Sequence, residues 1–122
     1  MYAIDWRRNI QMKQYSIEIT NLAEHDLESI GDYIAYELLS PNTAVNMISG
    51  IQKQINKLKN FPKRNEFDED YILAQLGVRK DYYKNYKIYY LIDDNKNVIY
   101  IIRILHMLVD SKALLYHAFG LK

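Results

Sequence analysis

Hydrophobic and polar positions first follow a regular pattern at residues 15–19, where every second residue is apolar. This period of two predicts a short strand with one buried face. Asn21 follows as a candidate N-cap, and Glu24 lies three residues later, at the spacing of a capping box. We therefore predict a strand over residues 15–19 and a helix that begins at Asn21.

Apolar residues then recur at spacings of three and four, first from Leu27 to Leu38 and again from Ala44 to Leu58. This spacing predicts two amphipathic helices, and Ser40 with Pro41 supplies a cap and a first-turn proline for the second. We expect an antiparallel helical hairpin that ends at residues 61–62. Within the second helix, Gly50 lowers helix stability by about 1 kcal/mol relative to Ala, so it is expected where the helices approach closely, or is simply tolerated.

The rest of the chain has strand character. Residues 63–75 are polar and acidic and indicate a long loop or a short edge element. Three segments rich in Tyr, Ile and Val then predict strands: 76–83, 86–93 and 98–105. Residues 94–97 supply the turn chemistry of a hairpin, and residues 111–119 are expected to form a helical turn or a strand.

The predicted order of strand, two helices and three strands indicates an α+β fold, in which a helical hairpin packs on one face of a small, mainly antiparallel twisted sheet. Residues 15–122 suffice for one domain. Residues 1–14 follow neither the strand period of two nor the helical spacing of three and four. They are interpreted as a mobile leader or an upstream extension, with Met12 as an alternative start.

Composition narrows the class of protein. The chain is 49% hydrophobic and 25% charged, as folded globular domains are, and it has no cysteine. Disulfides, thiolate metal sites and cysteine nucleophiles are therefore excluded. No apolar run has the length of a membrane span, and the N-terminus lacks the apolar segment of a secretory signal. No His or acidic residues have metal-ligand spacing. We expect a cytoplasmic protein without a metal or another cofactor.

The net charge of +1 conceals a separation along the chain. Residues 15–52 contain six Asp or Glu and no Lys or Arg, whereas residues 53–122 contain thirteen Lys or Arg against eight Asp or Glu. Such a separation favours a partner of defined charge. The alternative is that folding interleaves the charges on a solvated surface.

Several short motifs keep a fixed order along residues 15–110. They are Ile19-Thr20 leading into Ala23, Asp26, Leu27 and Ile30; Phe61-Pro62-x-Arg64; Gly77-x-Arg79; Asn85-Tyr86-x-Ile88-x-Tyr90; and Val98-x-Tyr100-x-Ile102-Arg103-Ile104-x-His106-x-x-x-Asp110. Together they resemble the RelE/ParE superfamily of type II toxins. The resemblance implies a growth-inhibiting, plasmid-stabilising toxin that a cognate antitoxin neutralises.

This resemblance leaves the target open. RelE-like members cut messenger RNA on the ribosome, ParE-like members bind DNA gyrase, and a degenerate relative would bind antitoxin without toxicity. The low net charge argues against docking into ribosomal RNA, because phosphate contacts favour strongly basic proteins. The apolar residues Met107, Leu108 and Val109 suit a protein surface. The spacing of Arg103, His106 and Asp110 looks more ParE-like, so gyrase is favoured.

A nuclease would need cations for the phosphate and groups that move protons. Arg79 and Arg103 occupy the positions of the family's sheet arginines, and Arg64 and Lys87 are expected near the same surface. Strict alternation places Arg103 among apolar neighbours on the last strand. Its alternative role is therefore a structural ion pair or an apolar stem lying across the sheet.

Two further residues are candidates for chemistry. His106 suits general acid or base work, although the favoured alternative is a local contact with Asp110 that shapes the chain as it leaves the sheet. Five tyrosines lie within nine residues, and Tyr89 shares its side of a strand with Lys87. Tyr89 is therefore the tyrosine that we expect to be exposed and able to stack on a base.

Overall fold

The computed structural model describes residues 2–5 and 10–121. Six strands lie in this part of the chain: β1 (Tyr2–Asp5), β2 (Ile10–Lys13), β3 (Ser16–Ile19), β4 (Arg79–Tyr83), β5 (Tyr86–Asp93) and β6 (Val98–His106). The α-helices are α1 (Asn21–Asp32), α2 (Pro41–Lys57), α3 (Tyr71–Gln75) and α4 (Ser111–Ala118). A π-helical segment, Tyr33–Glu37, continues α1, and a single 3₁₀ turn spans Pro62–Arg64.

Four strands form the main sheet, in the order β3-β6-β5-β4. β3 runs parallel to β6, and the other two pairs are antiparallel. The parallel pair is possible because the helical hairpin provides the long crossover that such a pair requires. The predicted α+β fold and its mainly antiparallel sheet are confirmed.

The helical hairpin covers one face of this sheet. Its buried side chains include Ala23 and Leu27 of α1 and Ile51 and Ile55 of α2. They pack against sheet residues that are themselves buried: Tyr86, Ile88, Tyr90, Ile99, Ile101 and Ile104. The helix positions Leu27, Ile51 and Ile55 are ones that the spacing of three and four predicted to be buried. This face therefore holds the main hydrophobic core.

A second, smaller cluster covers the opposite face. Leu73 of α3 and Leu115 of α4 are buried there against Tyr89 and Leu105 of the sheet and against Val78, which precedes β4. The carboxylate of Asp70 caps α3 by accepting from the Leu73 amide at 3.1 Å, and it accepts a hydrogen bond from the Tyr116 hydroxyl at 2.8 Å. The last predicted element is thus a helix, and it packs on the sheet.

The start of α1 differs from the prediction. Thr20, which has extended backbone angles, is the N-cap, and its hydroxyl accepts from the Ala23 amide at 3.3 Å. Asn21 is already helical. The Thr20 hydroxyl also donates to the Ile101 carbonyl at 2.8 Å, so this side chain joins the helix start to β6. A sequence window cannot show that second partner.

Two segments differ from the predicted pattern. β1 pairs antiparallel with β2, from Tyr2 opposite Lys13 to Asp5 opposite Ile10, within the predicted leader. That residues 1–14 form a leader distinct from the 15–122 domain stays a prediction. Residues 1 and 6–9 of this leader lie outside the described residues. Within the predicted 76–83 strand, pairing begins only at Arg79, because Gly77 turns the chain with a φ of +90° after α3.

Gly50 contacts the sheet rather than the other helix. A Cβ at Gly50 would overlap the ring of Tyr83, the last residue of β4, whereas a Cβ at Gly31 would lie 3.5 Å from Ile48 of α2. The close approach between the two helices is therefore at Gly31. At Gly50 the missing side chain makes room for an aromatic ring.

We expect Gly31→Ala to stabilise the protein by about 0.5–1 kcal/mol through helix propensity, because its new methyl group meets only ordinary contacts. Gly50→Ala should lose that gain and destabilise the protein, since Tyr83 must move. Urea unfolding of both variants measures the difference. In a Tyr83→Ala background, Gly50→Ala should become stabilising; the same loss in both backgrounds would show that the ring is not the cause.

Candidate functional site

Arg103 of β6 and Asp26 of α1 form a partly buried ion pair. The Arg103 Nε and one terminal nitrogen donate to the two carboxylate oxygens of Asp26 at 2.7 and 2.9 Å. The side chains are 13% and 10% exposed. This two-pronged contact raises the pKa of Arg103 above its ordinary value, so the guanidinium stays charged. The structural ion pair considered for Arg103 is present, with a partner that the sequence analysis had not assigned.

Asp26 also accepts a hydrogen bond from a backbone amide at the open edge of the sheet. β3 pairs with β6 only as far as Ile19 opposite Ile101, so the last residues of β6 have no strand on that side. There the Ile104 amide donates to the Asp26 carboxylate at 2.9 Å. Because a buried amide without an acceptor costs about 1–3 kcal/mol, this contact fixes α1 against the end of β6.

The predicted alternation of side chains along β6 fails after Ile101. Tyr89 lies opposite Arg103 while Tyr90 lies opposite Ile101, so β6 holds one extra residue in a β-bulge. As a result Ile104 shares the main core with Ile101, whereas strict alternation placed them on opposite faces. Bulges re-aim side chains in this way, and nothing in the local pattern of β6 marks one.

Arg79 is held by a different part of the fold. Its guanidinium donates to the Lys63 carbonyl at 3.1 Å and to the Asn65 carbonyl at 2.6 Å, and it lies 3.9 Å from the centre of the Phe67 ring. These contacts tie the 63–67 segment to the start of β4. Arg64 is exposed within that segment, so Arg64 and Arg79 are near each other.

His106 lies at the end of β6 and contacts the backbone of the next turn. Its Nδ1 accepts a hydrogen bond from the Leu108 amide at 3.1 Å, and its ring meets the Tyr86 ring edge-on at 5.4 Å. The predicted contact with Asp110 is wrong. Asp110 instead caps α4, where its carboxylate accepts from the Lys112 amide at 3.3 Å. His106 still shapes the chain leaving the sheet, through a backbone amide.

A cavity of about 450 Å³ opens beside His106. Asp26, Ile30 and Tyr33 line it from the α1 side, and Tyr86 and His106 line it from the sheet. Burial raises the pKa of Tyr86, so its phenol stays neutral near pH 7. This cavity brings His106 close to the Asp26–Arg103 pair, and its walls are mainly apolar.

The expected exposure of Tyr89 is wrong. Tyr89 is 2% exposed and belongs to the second cluster, because α3 and α4 cover its face of the sheet with Leu73 and Leu115. Its ring therefore has no free face for a base. Lys87 lies 5.8 Å from that ring and donates to the Val109 carbonyl at 3.1 Å, which ties β5 to the turn before α4.

The sequence-predicted residues thus fall into three places. Arg64 and Arg79 lie around the 63–67 segment. His106 lines the cavity beside it, and Arg103 pairs with Asp26, which lines the same cavity. Lys87, Asp110 and the buried Tyr89 line a polar pocket at the start of α4. Among the described residues, no group of three or more His, Cys, Asp or Glu is placed to hold a metal ion. No helix in the described part is long and apolar enough to cross a bilayer.

Asp26 is the important residue to which the sequence motif gave no role. A signal was available, since Asp26 follows Ala23 by three residues and adjoins Leu27, both of which are buried. A carboxylate on the buried face of a helix needs a cation or several donors. Its partners lie 77 and 78 residues away, so the helix sequence alone does not name them.

The family model for the ParE toxin of the type II toxin–antitoxin system parDE matches residues 17–110. The chain belongs to the ParE toxin family. This confirms the resemblance to the RelE/ParE superfamily and makes the chain a toxin of the type II class. The matched region starts within β3 and ends at Asp110, before α4. No curated protein matches this toxin by sequence.

Solved structures share the fold of this ParE-family toxin. A chain of the chromosomal ParDE system from P. aeruginosa is 21% identical, with a TM-score of 0.64 over 77% of this chain and 97% of that one. A chain of the RelBE2 toxin–antitoxin complex from Mycobacterium tuberculosis is 21% identical, with a TM-score of 0.57 over 76% and 98%. A mutant of the E. coli toxin RelE in the free state is 13% identical, with a TM-score of 0.59 over 88% and 96%.

For this ParE-family toxin we expect Arg103→Ala to lower the free energy of unfolding by about 3 kcal/mol, because it leaves a buried carboxylate without its cation. Asp26→Ala should cost a similar amount. The double variant should cost much less than the two losses added together, as groups that act on each other do. Denaturant unfolding of the four proteins measures this coupling, and strictly additive losses would contradict it.

Proposed function

We propose that this toxin inhibits growth in the cytoplasm by binding a large cellular target, with DNA gyrase as the leading candidate, and that it breaks no bond itself. A cognate antitoxin neutralises it. Membership of the ParE family and likeness to chains of the ParDE and RelBE2 systems support the antitoxin partner. In this role the pair would stabilise the plasmid or chromosomal region that encodes it.

One observation favours target binding over RNA cleavage. The residues that a nuclease would use make contacts that stabilise the fold. Arg103 is bound on two nitrogens by Asp26, and Arg79 by two loop carbonyls. Tyr89 is buried. Cleavage needs preorganised cations that face the phosphate together, whereas these two arginines are held by different segments.

The exposed surface next to the cavity beside His106 suits a protein partner. In the turn after β6, Met107, Leu108 and Val109 are 48%, 89% and 38% exposed. Tyr33, which is 55% exposed, lines the adjacent cavity. Apolar side chains that are exposed next to one another are typical of protein interfaces and not of a phosphate track. We assign target binding to this surface, defined by Tyr33 and Met107–Val109, and call it the turn surface.

The target is tested with purified protein in two parallel reactions. The first contains gyrase and plasmid DNA and measures supercoiling and trapped double-strand breaks; the second contains translating ribosomes and maps new messenger RNA ends. We expect breaks in the first and no cleavage in the second. Ribosome-dependent cleavage that a folded Arg79→Ala variant slows by about a hundredfold would instead make the toxin a nuclease.

We expect Leu108→Asp to weaken inhibition of the target by at least about tenfold, because a charge would be desolvated in an apolar interface. The fold should be unaffected, since this side chain is 89% exposed. The dose that halves supercoiling activity measures the effect, and the melting temperature checks the fold.

The matched control is Phe61→Asp. Phe61 is also an exposed apolar residue, but it lies two residues before Lys63, which pairs with Asp94 at the opposite end of the sheet from His106. Its replacement should leave inhibition unchanged. Equal losses in both variants would place the interface elsewhere. A folded toxin that inhibits neither reaction would indicate a relative that has lost toxicity.

A further inference from the structure

The end of α2 and the turns that follow it carry a strong positive charge. Five cations lie within residues 53–64, and the sequence has no Asp or Glu from residue 38 to residue 65. All five are exposed: Lys53, Lys57, Lys59, Lys63 and Arg64. We call residues 53–64 the basic segment. The net charge of +1 conceals it, because the acidic residues lie elsewhere in the chain.

Buried residues hold the backbone of the basic segment against the sheet. Leu58 belongs to the main core, and the carbonyl of buried Pro62 accepts a hydrogen bond from the Tyr90 hydroxyl at 2.5 Å. The Lys63 carbonyl accepts from Arg79 at 3.1 Å. Because these contacts fix the backbone, the exposed cations are held together on one part of the surface before any partner binds.

Most of this charge has no partner on the protein itself. Lys63 pairs with Asp94 at 3.0 Å, through side chains that are 58% and 46% exposed. Within the described part of the chain, the other four cations form no ion pair. Lys53 and Lys57 lie one helical turn apart, where like charges repel by a few tenths of a kcal/mol. Binding of a polyanion would relieve this repulsion.

The neighbouring acidic residues determine from which side a polyanion can approach. Glu24 of α1 lines the same depression as Gln52 of α2, so the acidic side of α1 borders the start of the basic segment. A polyanion is repelled at that border and attracted toward Lys57, Lys59 and Arg64. The separation of charge therefore orients the chain on an anionic partner.

We propose that the basic segment binds the phosphate backbone of double-stranded DNA without reading its sequence. Duplex DNA carries one charge per about 1.7 Å of helix axis, against about 3.4 Å for one strand, so exposed cations release more counterions from the duplex. Phosphate contacts position a protein and carry no sequence information. The inference goes beyond the proposed function and does not rest on it, because inhibition is assigned to the turn surface.

The test is fluorescence anisotropy of the purified full chain with a labelled duplex of about 20 base pairs, or two helical turns. We expect a dissociation constant of about 1–100 μM near physiological salt, the range of non-specific DNA binding. Four phosphate contacts should make the logarithm of the association constant fall against that of the salt concentration with a slope of about −3.6. A duplex of unrelated sequence should bind within about twofold.

The double variant Lys57→Gln, Lys59→Gln should weaken binding by at least about fivefold and reduce the salt slope by about two, equally for both duplexes. The matched control, Lys84→Gln, Lys112→Gln, removes two exposed lysines outside the basic segment and should leave affinity and slope unchanged. Melting temperatures check that all variants are folded.

Equal losses in the two double variants would overturn the proposal, because the attraction would then follow net charge alone. Tighter binding of a single-stranded RNA of the same length would assign the basic segment to RNA and would also overturn it. So would a duplex affinity that does not change with salt, since phosphate contacts release counterions.

DNA binding and inhibition of the target should be separable. Phe61→Asp places a carboxylate inside the basic segment, so it should weaken DNA binding while inhibition stays unchanged. Leu108→Asp should have the opposite effect; its loss of DNA binding would place the DNA contact at the turn surface and contradict the proposal. The DNA measurements use neither gyrase nor ribosomes, so their failure is distinct from a failure of the proposed target.

Discussion

The structure depends on how the edge of β6 is completed beyond the end of β3. β3 is four residues long and β6 is nine, so the strand that starts the fold covers less than half of its partner. Asp26 replaces the missing strand by accepting from the Ile104 amide, and Arg103 balances the charge that this replacement buries. One carboxylate thus joins the helical hairpin to the sheet and fixes where α1 lies.

That constraint explains why Arg103, one of the two sheet arginines in the family motifs, is a poor candidate for catalysis. A guanidinium bound on two nitrogens must release its carboxylate before it can bind a phosphate, and release leaves Asp26 with an unbalanced buried charge. Arg79 has a comparable role through the backbone carbonyls of Lys63 and Asn65. In this chain, residue types that suit RNA cleavage serve the packing of segments that are distant in sequence.

The sequence was informative where burial follows from a local period. β5 begins at Tyr86 and ends at Asp93, as the strand pattern predicted, and α2 starts at Pro41 behind Ser40. It was not informative where a side chain's surroundings come from elsewhere in the chain. The residues around Tyr89 show neither the bulge in β6 opposite it nor the packing of Leu73 and Leu115 over it. The sequence pattern therefore placed Tyr89 on an exposed face. Asp26 and its partners show the same limit.

Fixing α1 also determines the geometry of the surface assigned to target binding. Tyr33 continues α1, and Asp26 and Ile30 line the cavity beside it, so the position of Tyr33 relative to His106 follows from where Asp26 holds α1. The Asp26 contacts with Ile104 and Arg103 oppose any movement of α1. A surface that is held in place before it meets its partner loses little conformational entropy on binding. The ion pair that keeps Arg103 from catalysis thus also preorganises the surface through which the toxin would bind a target.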